Sequence, residues 1–112
     1  MRSAARTCAL LPALVGAAFA LHADPHEEMA RTHTVTVENM QFSPASLTVS
    51  PGDRIVWVNK DLFPHTATAD SKAFDSRDIA AGASWTYVAV RSGEYAYSCT
   101  FHPTMKGRLV VR

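Results

Sequence analysis

Beyond His33 the chain reads as short stretches in which apolar and polar residues alternate, each closed by turn-forming residues. Thr34-Val35-Thr36-Val37 is β-branched throughout. Leu47 and Val49 alternate with Thr48 and Ser50, and Ile55-Val56-Trp57-Val58 is a continuous apolar run suited to a strand covered on both faces. Ser84 to Val90 alternates over its whole length, and Glu94–Tyr97 and Arg108–Val111 complete the set. Ser43-Pro44, Pro51-Gly52-Asp53, Ala81-Gly82 and Ser92-Gly93 supply the turns between them. The segment Ser71 to Ile79 has no clear period and is expected to be a loop with a short strand or a helical turn. Short strands at this spacing predict an all-β sandwich or barrel of about seven to eight strands. Trp57, Trp85, Phe74 and Tyr95 are its bulky residues, and core packing is the expected role of Trp57 and Trp85.

The N-terminus follows another pattern. Met1-Arg2 and Arg6 give a positive start, Cys8 to Leu21 is almost wholly apolar or small, and Ala18-Phe19-Ala20 presents small residues where a signal peptidase reads. The apolar run is about 14 residues, short of the ~20 that a helix needs to span a bilayer. Residues 1–20 are therefore expected to be a secretory signal, cleaved after Ala20 or, second, after Ala23. Residues 21–32 are expected to form a flexible leader and residues 33–112 the folded domain, with no membrane span in the mature chain.

Charge excludes some partners. The 112 residues carry 11 basic and 10 acidic side chains, and losing Arg2 and Arg6 with the signal takes the net charge to about −1. Neither a nucleic-acid partner nor a polybasic membrane contact is expected. Of the two cysteines, Cys8 leaves with the signal. Cys99 then stands alone in an oxidising compartment with no intrachain partner, so it is a buried thiol, an intermolecular bridge or a metal ligand.

The surroundings of Cys99 favour the metal. Cys99-Thr100-Phe101-His102-Pro103-Thr104-Met105 is a C-x2-H-x2-M run between a strand expected to end near Ser98 and one expected to start near Gly107. A fourth ligand must come from elsewhere, and His65, in Phe63-Pro64-His65-Thr66, is the candidate by its placement at a strand entry. Taken singly, Met105 reads as core, His65 is open between ligand and ordinary buried histidine, and His22, His26 and His33 read as solvated. In combination, a thiolate, two imidazoles and a thioether form a softer set than zinc normally takes. They match the trigonal copper site with a weak axial methionine, which leaves no position open for a substrate. A carrier is thus expected rather than an enzyme, with no catalytic residues. A metal-free interaction sandwich would leave the spacing a coincidence, and a multicopper oxidase would need further ligand sets.

With these residues in place, residues 33–112 resemble the cupredoxins, the type 1 blue copper proteins, particularly the amicyanin-like and plastocyanin-like members. The likeness rests on Phe42-Ser43-Pro44, Leu47 to Asp53, Val56-Trp57-Val58-Asn59, Pro64-His65-Thr66 and Tyr95 to Gly107. The two-residue gap between His102 and Met105 is similar to amicyanin. The resemblance implies a Greek-key β-sandwich with one copper per chain, cycling between Cu(I) and Cu(II) on His65, Cys99, His102 and Met105. It implies a monomeric periplasmic electron carrier with transient redox partners such as a cytochrome c or a dehydrogenase. A periplasmic copper chaperone or store is the alternative.

His102 would be the electron port, ringed by Met40, Leu62, Phe63, Pro64, Phe101, Pro103 and Thr104, with Lys60, Lys72, Lys106 and Arg108 steering an acidic partner. The leader's His22, His26, Met29 and His33 offer a weaker site for copper loading. Two positions depart from the family pattern. Thr66 stands where the family often has Asn tying the ligand segments together, so a weaker hydroxyl bond is expected there. Phe101 stands where amicyanin-like loops often have Pro, so an extra N–H is available to the Cys99 sulfur.

Overall fold

The structure is a computed structural model. It describes residues 30–112 continuously, with isolated positions 4, 9, 12 and 16 before them. The expected signal segment, the cleavage site, His22, His26 and Met29 lie outside the described residues.

Eight strands follow in order: β1 (Thr32–Glu38), β2 (Gln41–Ser43), β3 (Ser46–Val49), β4 (Arg54–Asn59), β5 (Thr68–Ala69), β6 (Ser84–Val88), β7 (Gly93–Cys99) and β8 (His102–Val111). No described residue is helical, so among the described residues no helix is long and apolar enough to cross a membrane. The strands form two four-stranded sheets, ordered β2-β1-β4-β6 and β3-β8-β7-β5. β1 runs parallel to β4, setting Val35 beside Trp57, and β3 runs parallel to β8, setting Val49 beside Val111. Parallel neighbours this far apart in sequence require connections that cross between the sheets, which is how a Greek-key sandwich is closed.

The alternation read in the sequence becomes the interior. Val35, Val37, Ile55 and Trp57 from one sheet face Tyr97, Cys99, Leu109 and Val111 from the other, all nearly inaccessible to solvent. Trp57 lies at the centre, with ring centroids 5.5 Å from Trp85, 5.6 Å from Phe74 and 5.6 Å from Tyr97, the last edge-on. Trp85 is only partly buried and packs against the edge of this cluster.

Where pattern and structure differ, the cause is local. β2 and β5 are too short to show a period. β6 stops at Val88 because Ala89 leaves the ladder, its amide going to the Asp53 carbonyl and its carbonyl accepting the Gly52 amide. β1 begins at Thr32, inside the expected leader, because its first residue already pairs with Arg54.

Candidate metal centre

Two segments bring the chemistry together at one end of the sandwich. The first is the β7–β8 hairpin. Cys99 pairs with His102 across the two residues Thr100 and Phe101, whereas the preceding pair is Ser98 with Lys106. Pro103, Thr104 and Met105 are therefore looped out of the ladder. Proline suits this stretch because it has no N–H to offer a ladder. The expected loop from Ser98 to Gly107 is thus a tight turn and a bulge, and Met105 comes back to a buried position with 3% exposure.

The second segment is Asn59 to Thr66, which leaves β4 and carries His65. The His65 backbone exchanges hydrogen bonds with Ile79, N–H to carbonyl at 3.1 Å and carbonyl from N–H at 2.7 Å. Asn59, fully buried, fixes the loop from within. Its Nδ2 donates to the carbonyls of Phe63 at 2.8 Å and Ile79 at 2.9 Å, and its Oδ1 accepts the Asp61 N–H at 3.0 Å.

Together these segments bring His65, Cys99 and His102 so close that their ligand atoms lie within 4.8 Å of one another. Nδ1 of His65 is 3.6 Å from Cys99 Sγ, and Nδ1 of His102 is 3.8 Å from it. His65 and Cys99 are fully buried, whereas His102 is only half-buried. Separations of this size are what two ligands sharing one ion require when metal bonds are about 2.0–2.3 Å long. Two imidazole Nδ1 atoms facing one enclosed sulfur, with the buried thioether residue Met105 on the same hairpin, fit a single type 1 copper ion.

The surroundings of the ligands are also built. Asp61 Oδ2 lies 2.7 Å from His65 Nε2, and the carboxylate also accepts the amides of Asn39 at 2.8 Å and Met40 at 3.2 Å. Burial alone would raise the Asp61 pKa, but these bonds outweigh it and hold the group below the ordinary carboxylate value. Thr66 does what was expected of it: its Oγ1 accepts the Thr100 amide at 2.8 Å. Its hydroxyl also meets those of Thr68 and Thr100, each at 3.0 Å, and the Thr68 hydroxyl donates to Asp75 at 3.0 Å.

Three expectations are corrected. The amide that reaches the Cys99 sulfur is that of Thr66, at 3.3 Å, rather than that of Phe101. Arg108 does not stand free beside the site, because its guanidinium pairs with Glu94. His33 is not simply solvated: its Nε2 lies 2.9 Å from Asp53 Oδ2, at the far end of β1 from the turn that Asp61 holds. In the sequence, Asn59 figures only within the family resemblance, with no role, and Asp61 is not singled out. Their signal was positional: a polar residue closing an apolar strand, and an acid four residues before a candidate ligand.

Of the residues expected around His102, Phe63 stands beside it. Phe63 lies 5.0 Å from the His65 ring and 6.0 Å from the His102 ring, centroid to centroid. Leu62 is 93% exposed and Phe101 50%, and Met40 and Phe63 are also substantially open to solvent. Pro64, Pro103 and Thr104 are exposed, as are Lys60, Lys72 and Lys106.

An all-β sandwich with two histidines and one cysteine converging at its end, beside a buried methionine, defines the class of single-site copper proteins. The chain belongs to the cupredoxin family: the family model described as a cupredoxin-like domain matches residues 11–111. Among curated proteins it is 27% identical over 82 residues to an amicyanin of Paracoccus versutus, an alignment covering 69% of this chain and 62% of the relative. It is 32% identical over 85 residues to a plastocyanin of Synechococcus, covering 62% of each chain. The chain thus spans less than two thirds of the length of these relatives. Among solved structures it superposes on the reduced state of an amicyanin mutant with phenylalanine in place of a proline. There the TM-score is 0.66 at 27% identity, covering 76% of this chain and 84% of that one.

Proposed function

We propose that this protein is an exported, periplasmic carrier of single electrons, holding one copper ion on His65, Cys99, His102 and Met105 and passing electrons between other redox proteins. The observation that carries the reading is the convergence of both histidine Nδ1 atoms on the buried Cys99 sulfur. The bound ion would supply a one-electron couple between Cu(I) and Cu(II), which a thiolate and two imidazoles suit in both states. With Met105 as the fourth donor, no position remains for a substrate, which favours a carrier over a catalyst.

The residues around the ligands suit that task. His65 and Cys99 are locked by backbone bonds to Ile79 and Thr66, so little has to move when charge changes. His102, half-buried beside Phe63, would provide the route to the surface, with Phe101 and Leu62 open to solvent. An apolar patch of this kind supports brief encounters, which in electron transfer bury less than ~1,200 Å² in total. Lys60, Lys72 and Lys106 are exposed and would steer an acidic partner; a cytochrome c or a dehydrogenase would be the transient redox partner, with this protein acting as a monomer.

The test is to add Cu(II) to the purified mature protein and record its visible spectrum. One equivalent should give intense thiolate-to-copper absorption, and Cys99→Ser should abolish it. A wild-type protein with a free thiol that stays colourless would overturn the reading.

A further inference from the structure

The carboxylate of Asp61 is held more firmly than a loop side chain needs to be, and it touches a proposed ligand. A carboxylate only accepts, so at 2.7 Å the hydrogen between Asp61 Oδ2 and His65 Nε2 belongs to the imidazole. This selects one tautomer: Nε2 carries the proton, and Nδ1 presents its lone pair to Cys99 Sγ 3.6 Å away. His65 is fully buried, so its ring has no water to satisfy Nε2 in any other orientation.

Asp61 is itself clamped from two sides. Its own amide is bound by Asn59 at 3.0 Å. Its oxygens are gripped by the successive amides of Asn39 and Met40. These two residues sit at φ +54° and +60°, in the left-handed region that is uncommon outside glycine. Consecutive amides in such a turn form a concave anion-binding nest. The two-residue β1–β2 hairpin turn, which requires this backbone shape, thus presents both amides to one negative charge behind His65.

A neutral acceptor would orient the ring equally well. The charge adds something else: it draws on the Nε2 proton and raises the basicity of the ligating nitrogen. A stronger donor favours the more highly charged ion.

We propose that Asp61 is a positioning residue of the copper site, which fixes the ligating face of His65 and, through its charge, stabilises Cu(II) relative to Cu(I) and so lowers the reduction potential. This rests on the copper reading above.

The experiment compares wild type, Asp61→Asn and Asp61→Glu. In Asp61→Asn, Cu(II) affinity should fall by about 10-fold or more, Cu(I) affinity should change less, and the potential should rise while the thiolate-to-copper band persists. Asp61→Glu, which keeps the charge, should lie nearer to wild type. A blue Asp61→Asn protein with an unchanged or lowered potential would overturn the proposal, even if its stability had dropped. A colourless wild type would instead remove the copper reading, a distinct result. The metal-free wild type gives a check that needs no variant: nitrogen chemical shifts should show His65 as the Nε2–H tautomer, and an Nδ1–H tautomer would overturn the proposal.

Discussion

The Thr66 amide donates a hydrogen bond to the Cys99 sulfur at 3.3 Å, joining two segments that lie 33 residues apart in sequence. The bond acts in two ways. It pins the histidine-bearing loop to the cysteine-bearing strand, and it draws electron density from the sulfur, which favours the reduced state of a bound ion. The same residue makes a second tie through its hydroxyl, which accepts the Thr100 amide. Backbone and side chain of Thr66 thus hold the two ligand segments together.

Separating these two ties gives the first prediction. Thr66→Val removes the hydroxyl and keeps the amide. The Thr100 amide is then left without its acceptor, and the cluster of Thr66, Thr68 and Thr100 loses its centre. The cost should be about 1–3 kcal/mol in denaturant unfolding of the metal-free protein. The visible spectrum of the copper form should be little changed, because the bond to sulfur remains. Thr66→Ser, which keeps a hydroxyl, should recover most of the stability.

Asn59 gives the second prediction. Its side chain serves two carbonyls and one amide, all around the loop that delivers His65. Asn59→Ala would remove a partner from the Phe63 carbonyl and the Asp61 amide and leave the Ile79 carbonyl with the His65 amide alone, and roughly 2–3 kcal/mol of stability should be lost. Copper binding should weaken as well, since the Ile79 carbonyl that Asn59 holds also accepts the His65 amide. Chemical denaturation and a competitive copper titration measure the two losses separately.

Much of this is legible in the sequence. The alternation in β1 reflects one buried face, a property the strand carries in its own residues, whereas β4, read as covered on both faces, fully buries only Ile55, Trp57 and Asn59 on one face. The grouping of Cys99, His102 and Met105 was legible because a short stretch of chain cannot separate them far. Asn59 and Asp61 were not legible in the same way. Their roles depend on Ile79 and on the Asn39–Met40 turn, and such long-range pairing leaves no period in the sequence. The donor to the Cys99 sulfur was misassigned for the same reason. Phe101 is the near neighbour, but the sandwich delivers the amide of Thr66. His33 looked solvated because Asp53, its partner, comes from the start of another strand.

Asp53 carries the pH prediction. Burial by itself would raise its pKa, but the amides of Ser50 and Arg31 and the His33 ring outweigh burial and hold it at about 2. A carboxylate with a depressed pKa stabilises the fold above its ordinary value of 3.8, and that contribution disappears as the pH falls toward about 2. The loss should be on the order of 2 kcal/mol. Unfolding free energies measured from pH 5 down to pH 2 should therefore fall steeply in the wild type, an expected range based on this linkage. In Asp53→Asn stability should start lower and fall less. Some slope should remain, because Asp75 is also held below its ordinary value, chiefly by the Arg77 amide.

The last prediction concerns a residue with no side chain. Gly107 lies on β8 opposite Tyr97, and a Cβ added there would overlap the phenol ring. The backbone of Gly107 does not adopt a positive φ, so the requirement is for space alone. Tyr97 cannot easily yield: it is 3% exposed and packs edge-on against both Phe42, at 4.8 Å, and Trp57. Burial also pushes its hydroxyl pKa up to about 12, so it remains neutral and cannot be relieved by ionising near neutral pH. Gly107→Ala should therefore cost about 1–3 kcal/mol through overpacking. The disturbance should travel two residues along β7 to Cys99, on the same inward face. Near-ultraviolet circular dichroism of the tryptophans should change together with the copper spectrum. Gly107→Ala paired with Tyr97→Leu, which removes the ring from above the glycine, should lose less than the two single costs added together. Strictly additive losses would show that the ring and the glycine are not in contact.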